Sequence, residues 1–150
     1  RLNLHHLSEN FKLIDDSYNA NVESIKAATD LLANYPGRRV LILGDMGELG
    51  TEARKYHQEV GEYAKELGVD QLLTLGVLSQ SAADGFNGKT GLQGQHFSDR
   101  ESLLAQLKAM LDGEKQQISI LVKGSRSAKM EQVVKDIIHW QNKKHQEGVA

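Results

Sequence analysis

Three short polar segments carry side chains that could bind a ligand or act on one. Residues 15–21 read DDSYNAN, residues 44–50 read GDMGELG and residues 123–127 read KGSRS. The first segment supplies carboxylates, a phenol and amides, and the second supplies carboxylates on a glycine-rich loop. The third supplies two cations and two hydroxyls. Each follows a strand-like apolar stretch, so the arrangement of the strands decides whether the segments meet.

The segment at residues 15–21 has two interpretations. It leads directly into a helix, whose first backbone N–H groups favour an anion, so its polar groups could surround an anionic ligand. Alternatively, Asn19 or Asn21 caps the helix and the two aspartates are solvated turn residues. Because a cap accounts for only one of the seven residues, we favour a functional role.

Taken alone, the other two segments are weaker indications of a functional site. The glycines of residues 44–50 recur at every third position, which departs from the G-x-G-x-x-G spacing of dinucleotide-binding loops. This segment is either part of a site or an exposed glycine-rich turn. The cations of residues 123–127 suit a phosphate or a carboxylate, but cations at a strand end are often simply solvated.

The elements that must position these segments alternate along the chain. Apolar runs predict strands at residues 11–14, 40–43, 72–75 and 118–122, and weaker strands at residues 2–7 and 96–97. Helical periodicity predicts helices at residues 22–32, 56–67, 103–111 and 130–138, and a shorter helix at residues 79–86. The nearly continuous apolar runs are typical of parallel strands buried on both faces. The pattern therefore predicts one doubly wound α/β domain over residues 1–150.

Local signals predict where some elements begin and end. Ser98 with Glu101 has the spacing of a capping box, and Gly68 has the position of a helix stop. The turn residues at 35–37 precede the second strand. We expect residues 84–94 to form a surface loop and the polar residues beyond Trp140 to fray.

Composition excludes several classes of protein. The 150 residues include 18 Lys and Arg against 20 Asp and Glu, so the chain lacks the basic excess of a nucleic-acid-binding module. No cysteine is present, which excludes disulfides and thiolate chemistry. No apolar run approaches the roughly 20 residues of a membrane span, and the first residues lack a signal peptide. We expect a soluble, cytoplasmic protein without nucleic-acid or membrane partners. Because the chain opens on Arg1, we also expect it to be part of a longer protein.

Four features resemble sites but fit structural roles better. Residues 83–90 nearly match a P-loop, but they lack its first glycine and no strong strand precedes them. His5 and His6 would point to opposite faces of a strand, so no metal site is predicted. His57 is predicted on a helix surface, and Trp140 is predicted to pack.

Taken in order, the polar segments resemble the C-terminal domain of the Mur ligase family of peptidoglycan synthesis. The resemblance is carried by LIDDSYNAN at residues 13–21, LGDMGELG at 43–50 and VKGSR at 122–126, with further matches at residues 57–61 and 97–99. It covers essentially the whole chain. The family commonly has proline where Val22 stands and a bulky residue where Gly47 stands, and neither departure replaces a polar group.

The resemblance implies an ATP-dependent ligase that joins D-alanyl-D-alanine to UDP-N-acetylmuramoyl-tripeptide and releases ADP and phosphate. ATP would phosphorylate the terminal carboxylate of the tripeptide, and the dipeptide amine would attack the acyl phosphate. N-terminal and central ATPase domains would lie outside these residues, and the central domain would carry the P-loop and the Mg²⁺ ligands. This chain would be the mobile lid, a Rossmann-like, mostly parallel sheet of about five to six strands with helices on both faces. It would be inactive alone.

The resemblance also divides the polar residues between two sides of a cleft. On the ATP side, Asp16 would approach the ribose, and the nucleotide or its phosphates would lie near Tyr18, Asn19 and Asn21. The acceptor and the dipeptide would meet at Asp45, Glu48, Lys123, Ser125 and Arg126. A carboxylate suits ribose hydroxyls and repels phosphates, and cations suit the dipeptide carboxylate or developing phosphate charge. No metal ligand is expected among these residues.

Two other functions stay open. Paired aspartates after an early strand and a lysine after the last strand also describe a flavodoxin-like phosphoacceptor signalling domain. Residues 72–76, however, offer no carboxylate at the end of the central strand. A non-catalytic nucleotide-binding module is the other alternative.

Overall fold

The structure is a computed structural model that describes residues 2–18 and 20–146, with residue 145 described by its backbone alone. In this part of the chain six strands form one sheet, in the order β1-β2-β6-β3-β4-β5. The first strand is antiparallel to the second, and the other neighbours are parallel. The strands are β1 Asn3–Ser8, β2 Phe11–Asp16, β3 Arg38–Gly44, β4 Gln71–Leu75, β5 Gly94–Phe97 and β6 Ile118–Lys123.

Helices cover both faces of this sheet. Buried side chains of the first three helices form one core with the sheet, and those of the last two form a second core on the opposite face. The predicted doubly wound α/β fold is therefore confirmed. The helices are α1 Val22–Ala33, α2 Ala53–Glu66, α3 Gln80–Asn87, α4 Arg100–Asp112 and α5 Glu131–Gln146, with single 3-10 turns at Gly50–Glu52 and Arg126–Ala128. Within the described residues, no helix is both long and apolar enough to cross a membrane.

The central strand β3 shows why its sequence is continuously apolar. Leu41 and Leu43 pack into the core beneath α1, α2 and α3, whereas Val40 and Ile42 pack into the core beneath α4 and α5. Successive side chains of a strand point to opposite faces, and both faces are covered here. An apolar residue is therefore required at every position.

Glycines allow α2 and α3 to approach each other closely. A Cβ atom on Gly61 of α2 would lie 1.9 Å from the backbone oxygen of Ala82 in α3. A Cβ atom on Gly85 of α3 would lie 2.4 Å from the backbone oxygen of Gln58. Because backbone atoms cannot turn aside as a flexible side chain can, both positions require glycine.

The predicted helix boundaries were partly wrong. The cap of α4 is Asp99, whose carboxylate accepts hydrogen bonds from the backbone N–H and the hydroxyl of Ser102, so Ser98 and Glu101 do not form the expected box. Aspartate is among the residues preferred at an N-cap, and Asp99 stands directly before the helix. The helix α3 includes residues 84–87 of the expected loop, and α5 continues to Gln146 rather than fraying after Trp140.

Other boundary predictions are confirmed. Gly68 follows the end of α2 with φ +84°, and Gly37 completes the turn before β3 with φ +80°. Asn21 caps α1, because its side chain accepts from the backbone N–H of Ser24 at 2.8 Å.

We expect Gly61→Ala to destabilise the chain by about 1 kcal/mol or more. Alanine is intrinsically about 1 kcal/mol better than glycine inside a helix. The clash with the Ala82 carbonyl has the opposite sign and, as overpacking of a rigid contact, costs about 1–3 kcal/mol or more. Urea unfolding of the purified chain measures the net effect.

Gly113→Ala is the matched control. Gly113 ends α4 with φ −99°, and an added Cβ atom would meet no heavy atom within 4 Å. This change should stabilise the chain by about 0.5 kcal/mol through the unfolded state. Equal effects of the two substitutions would contradict the proposed packing of α2 on α3.

Candidate functional site

The three polar segments meet at one edge of the sheet. Strands β2, β6 and β3 are neighbours in that order, and they are parallel, so the described residues 17, 18, 20 and 21 leave the sheet beside residues 124–127 and 45–50. The chain then turns toward α1 and α2 on one face and toward α5 on the other. Such a switch point opens the crevice in which doubly wound folds bind ligands.

A buried ion pair closes the base of this crevice. The parallel register places Asp16, the last residue of β2, beside Lys123, the last residue of β6. The Lys123 Nζ donates to Asp16 Oδ2 at 2.9 Å and lies 3.4 Å from the Ser24 hydroxyl at the start of α1. The Lys123 side chain is 1% exposed and that of Asp16 is 12% exposed.

The prediction that Lys123 faces the open cleft is therefore wrong. A buried ammonium requires a counter-ion, and the register supplies the Asp16 carboxylate. Asp16, expected at the ATP ribose, is engaged by this ammonium beneath the surface. The residues around Asp16 and those around Lys123 do not predict the pair, because its two members are 107 positions apart in the chain.

Asp45 is also used within the fold. Its carboxylate accepts backbone hydrogen bonds from Val77 at 3.1 Å, Leu78 at 3.2 Å and Ser79 at 2.8 Å, in the loop between β4 and α3. Burial by itself would raise the pKa of Asp45, but these three N–H groups together outweigh it and hold the pKa below its ordinary value. Asp45 was predicted to face the cleft, and in the structure its half-buried carboxylate is held by three donors of the neighbouring loop.

The backbone of Asp45 ties a second loop to the site. Its carbonyl accepts from the Ser125 N–H at 3.1 Å, and the Ser125 hydroxyl lies 3.0 Å from that of Ser127. A Cβ atom on Gly47 would lie 3.7 Å from the Ser125 side chain. The loops after β3 and β6 therefore form one packed unit.

Charged side chains of opposite sign line a cavity of about 410 Å³ at this unit. Glu48 is exposed and has φ +57°, a left-handed conformation that costs energy for a residue other than glycine. Arg126 is exposed and begins the 3-10 turn after β6. The predicted residues Glu48, Ser125 and Arg126 are brought together here. The lining residues are Ala20, Gly47, Glu48, Ser125, Arg126 and Ser127.

A second cavity, of about 390 Å³, adjoins β2. The Arg126 guanidinium lies 5.4 Å from the centre of the Tyr18 ring, so this arginine borders both cavities. Asp15, rather than Asp16, lines the second cavity and accepts from the N–H and the hydroxyl of Ser17. The lining residues are Asn3, Asp15, Ser17, Tyr18, Arg126 and Glu131.

The remaining predicted residues and one missed residue complete the site. The Asn21 amide oxygen caps α1, while the residue also lines a third cavity together with Glu48. Asn19 lies outside the described residues. His57 was expected on the helix surface, but it is fully buried and contacts the loop after β3 at Met46. The signal was present, since His57 lies three residues before Val60 on the apolar face of α2.

Comparisons with known proteins point to one family. The sequence pattern described as "Mur ligase, glutamate ligase domain" matches residues 1–126. The UDP-N-acetylmuramoyl-tripeptide--D-alanyl-D-alanine ligase of Escherichia coli (strain K12) is 50% identical over 131 residues, which are 86% of this chain and 27% of that protein. That of Bacillus subtilis (strain 168) is 36% identical over 146 residues, which are 92% of this chain and 30% of that protein. The chain thus spans less than a third of these relatives.

Solved structures show the same fold. A crystal structure of MurF from Acinetobacter baumannii has a TM-score of 0.85 at 31% identity, over 93% of this chain and 30% of that chain. The MurF ligase from Thermotoga maritima in complex with ADP has a TM-score of 0.77 at 21% identity, over 95% of this chain and 31% of that chain. The six-stranded architecture is therefore the one found in these ligases.

We expect Asp45→Asn to destabilise the chain in a pH-dependent manner. At pH 7 it removes charge-assisted hydrogen bonds, which should cost about 2 kcal/mol. The pKa of Asp45 is depressed in the folded state, so this stability is present above the unfolded pKa of about 3.9 and is lost as the pH falls through the lower folded value. Urea unfolding between pH 7 and pH 3 should show the difference from wild type shrinking below about pH 4.

The exposed Asp84 provides a matched control for this titration. Asp84→Asn should change the free energy of unfolding by less than about 0.5 kcal/mol at every pH. A destabilisation by Asp45→Asn that stays constant down to pH 3 would contradict the proposed role of its charge.

Proposed function

This chain belongs to the Mur ligase family, and we propose that it is the C-terminal domain of an ATP-dependent ligase that joins D-alanyl-D-alanine to UDP-N-acetylmuramoyl-tripeptide. This proposal is supported by the sequence identity between the chain and ligases of that name and by the similarity of its fold to MurF structures. Because the chain spans less than a third of those relatives, we assign the remaining functions to N-terminal and central domains. On this proposal the 150 residues form a single lid domain.

The cavity that contains both Glu48 and Arg126 carries the proposal. A free dipeptide has an ammonium group at one end and a carboxylate at the other. The cavity has an acidic side chain, Glu48, to match the ammonium and a basic one, Arg126, to match the carboxylate. The planar guanidinium of Arg126 can donate two parallel hydrogen bonds to a carboxylate. Glu48 would hold the ammonium, and the hydroxyls of Ser125 and Ser127 would add neutral hydrogen-bonding groups between them.

In the proposed reaction, ATP transfers its γ-phosphoryl group to the tripeptide carboxylate and leaves as ADP. The dipeptide amine, after losing a proton, attacks the acyl phosphate carbon, the carbon–oxygen bond to phosphate breaks, and the amide forms. This chain would contribute by binding the dipeptide in a fixed orientation, which favours reaction by removing the entropy cost of bringing the reactants together.

We assign the cavity beside β2 to the nucleotide. Asp15 would accept hydrogen bonds from the ribose in place of Asp16, which is already paired with Lys123. Tyr18 and Arg126 form the wall where an adenine ring or a phosphate could bind. Asn19 and Asn21 belong to the same segment, and we keep them on the ATP side. The use of ATP supports a cytoplasmic location.

The magnesium ion that accompanies ATP is assigned to another domain. Among residues 2–18 and 20–146, no group of three or more histidine, aspartate or glutamate side chains is arranged to hold a metal ion. Mg²⁺ would neutralise phosphate charge during transfer. The role proposed for this chain is to bind the dipeptide and part of the nucleotide.

In the full-length enzyme, we expect Arg126→Lys to raise KM for D-alanyl-D-alanine and to leave kcat nearly unchanged. Replacing a bidentate pair by a point charge should weaken dipeptide binding by about 1.5–3 kcal/mol, or roughly tenfold to a hundredfold. Because the contact is made equally in the bound and transition states, kcat is spared. Steady-state kinetics with each substrate varied in turn measure both constants.

Arg54→Lys, on the exposed surface of α2, is the matched control and should leave both constants unchanged. A fall in kcat for Arg126→Lys at constant KM would place Arg126 at the acyl phosphate instead of the dipeptide. The 150-residue chain alone should show no ligase turnover or Mg²⁺-dependent ATP hydrolysis in the same assay. Activity of the isolated chain would contradict the proposed division between domains.

A further inference from the structure

His57 is a fully buried polar residue in α2 whose two ring nitrogens both have partners. Its Nε2 atom lies 2.9 Å from the backbone nitrogen of Met46, in the loop after β3. Its Nδ1 atom lies 2.7 Å from the carbonyl oxygen of Ala53, in the first turn of α2. The ring therefore bridges the loop and the helix that follows it.

These partners determine where the ring carries its proton. An amide N–H can only donate, so Nε2 must be an unprotonated acceptor. A carbonyl oxygen can only accept, so Nδ1 must carry the hydrogen. His57 is thus a neutral Nδ1–H tautomer, and a second proton on Nε2 would set a donor against the Met46 N–H.

Contacts of Asp45 with two other loops also hold the loop after β3. The Asp45 carboxylate is bound by the N–H groups of residues 77–79, and its carbonyl accepts from Ser125. The Met46 side chain is 2% exposed within the core beneath α1, α2 and α3. Asp45 and Met46 are therefore fixed by three neighbouring elements, immediately before the chain reaches Gly47 and Glu48.

Glu48 depends on this anchorage for its position. It follows Met46 by two residues and has φ +57°, and Gly50 after it has φ +70°. A residue persists in such a conformation only when the surrounding structure determines it strongly. The hydrogen bond from the Met46 N–H to His57 lies two residues before Glu48, which lines the same cavity as Arg126.

We propose that His57 is a positioning residue that holds the Met46 N–H and thereby sets the place of the Glu48 carboxylate opposite Arg126. The ligand whose binding it controls is the ammonium end of a zwitterionic dipeptide. This identification rests on the proposed function, but the hydrogen bond and its effect on the loop do not. A leucine of similar size could fill the same space, so packing alone does not require histidine here.

The first test examines the hydrogen bond in the 150-residue chain by NMR. Long-range ¹H–¹⁵N spectra should show a protonated Nδ1 and an unprotonated Nε2 on His57. In His57→Leu the Met46 amide should exchange with solvent about tenfold faster, whereas the Ile42 amide within β3 should be unchanged. His57→Gln, whose side-chain oxygen can accept the same N–H, should restore most of the protection.

The second test measures ligase kinetics in the full-length enzyme. His57→Leu should raise KM for D-alanyl-D-alanine about tenfold or more, because a misplaced Glu48 weakens binding. KM for ATP should stay within twofold of wild type, and His57→Gln should recover most of the loss. Val60→Ala is the matched control, since Val60 is buried on the same face of α2 and has no polar group. It should lower stability without changing KM for the dipeptide.

The outcomes separate the two proposals. Equal KM values for His57→Leu and Val60→Ala, or failure of His57→Gln to recover binding, would overturn the positioning role while leaving the ligase function intact. A wild-type full-length protein without ligase activity would refute the proposed function. In that case, loss of Met46 protection in His57→Leu with recovery in His57→Gln would still support the anchoring of the loop. A protonated Nε2, or unchanged Met46 exchange in His57→Leu, would overturn it.

Discussion

The buried pair of Asp16 and Lys123 is the constraint on which the site edge depends. Parallel pairing of β2 with β6 brings the two residues together at the ends of their strands, and the ammonium is almost completely removed from water. An uncompensated charge at that depth would cost several kcal/mol. The pair therefore fixes both strand ends, together with Ser24 at the start of α1. The polar segments that follow leave the sheet from defined positions.

This constraint divides the polar residues of the site edge into two groups. Asp16, Asp45, Lys123 and the buried His57 are engaged by the fold itself. Their contacts join the loops after β3, β4 and β6 with α2, so that the edge behaves as one unit. A second group is left facing the cavities and is therefore available for ligands: Asp15, Tyr18, Glu48 and Arg126. On the proposed function, the residues that bind substrates are thus held by neighbours that are just as polar.

The sequence predicted the strands and helices and the sheet edge at which the polar segments meet, but it did not predict the direction of every side chain. Continuous apolar runs identified the buried strands, and the polar segments following them were correctly expected at one edge. The partner of Lys123 could not be predicted, because its register with Asp16 depends on pairing across 107 residues. The hydrogen-bond donors to Asp45 are backbone N–H groups of another loop. Every residue except proline has such a group, so no pattern of residue types in the sequence indicates them. His57 was predictable from its spacing to Val60, but its polarity suggested the surface.

The most direct test of this account is a double-mutant cycle on the ion pair, with Asp16→Asn, Lys123→Met and the double variant compared by urea unfolding. Each single variant should lose about 3–5 kcal/mol, because it removes the opposite charge that lies beside a buried one. The double variant should be more stable than the sum of the single losses predicts by about 2 kcal/mol or more. Additive losses would contradict the account, because they would show that the two charges do not depend on each other.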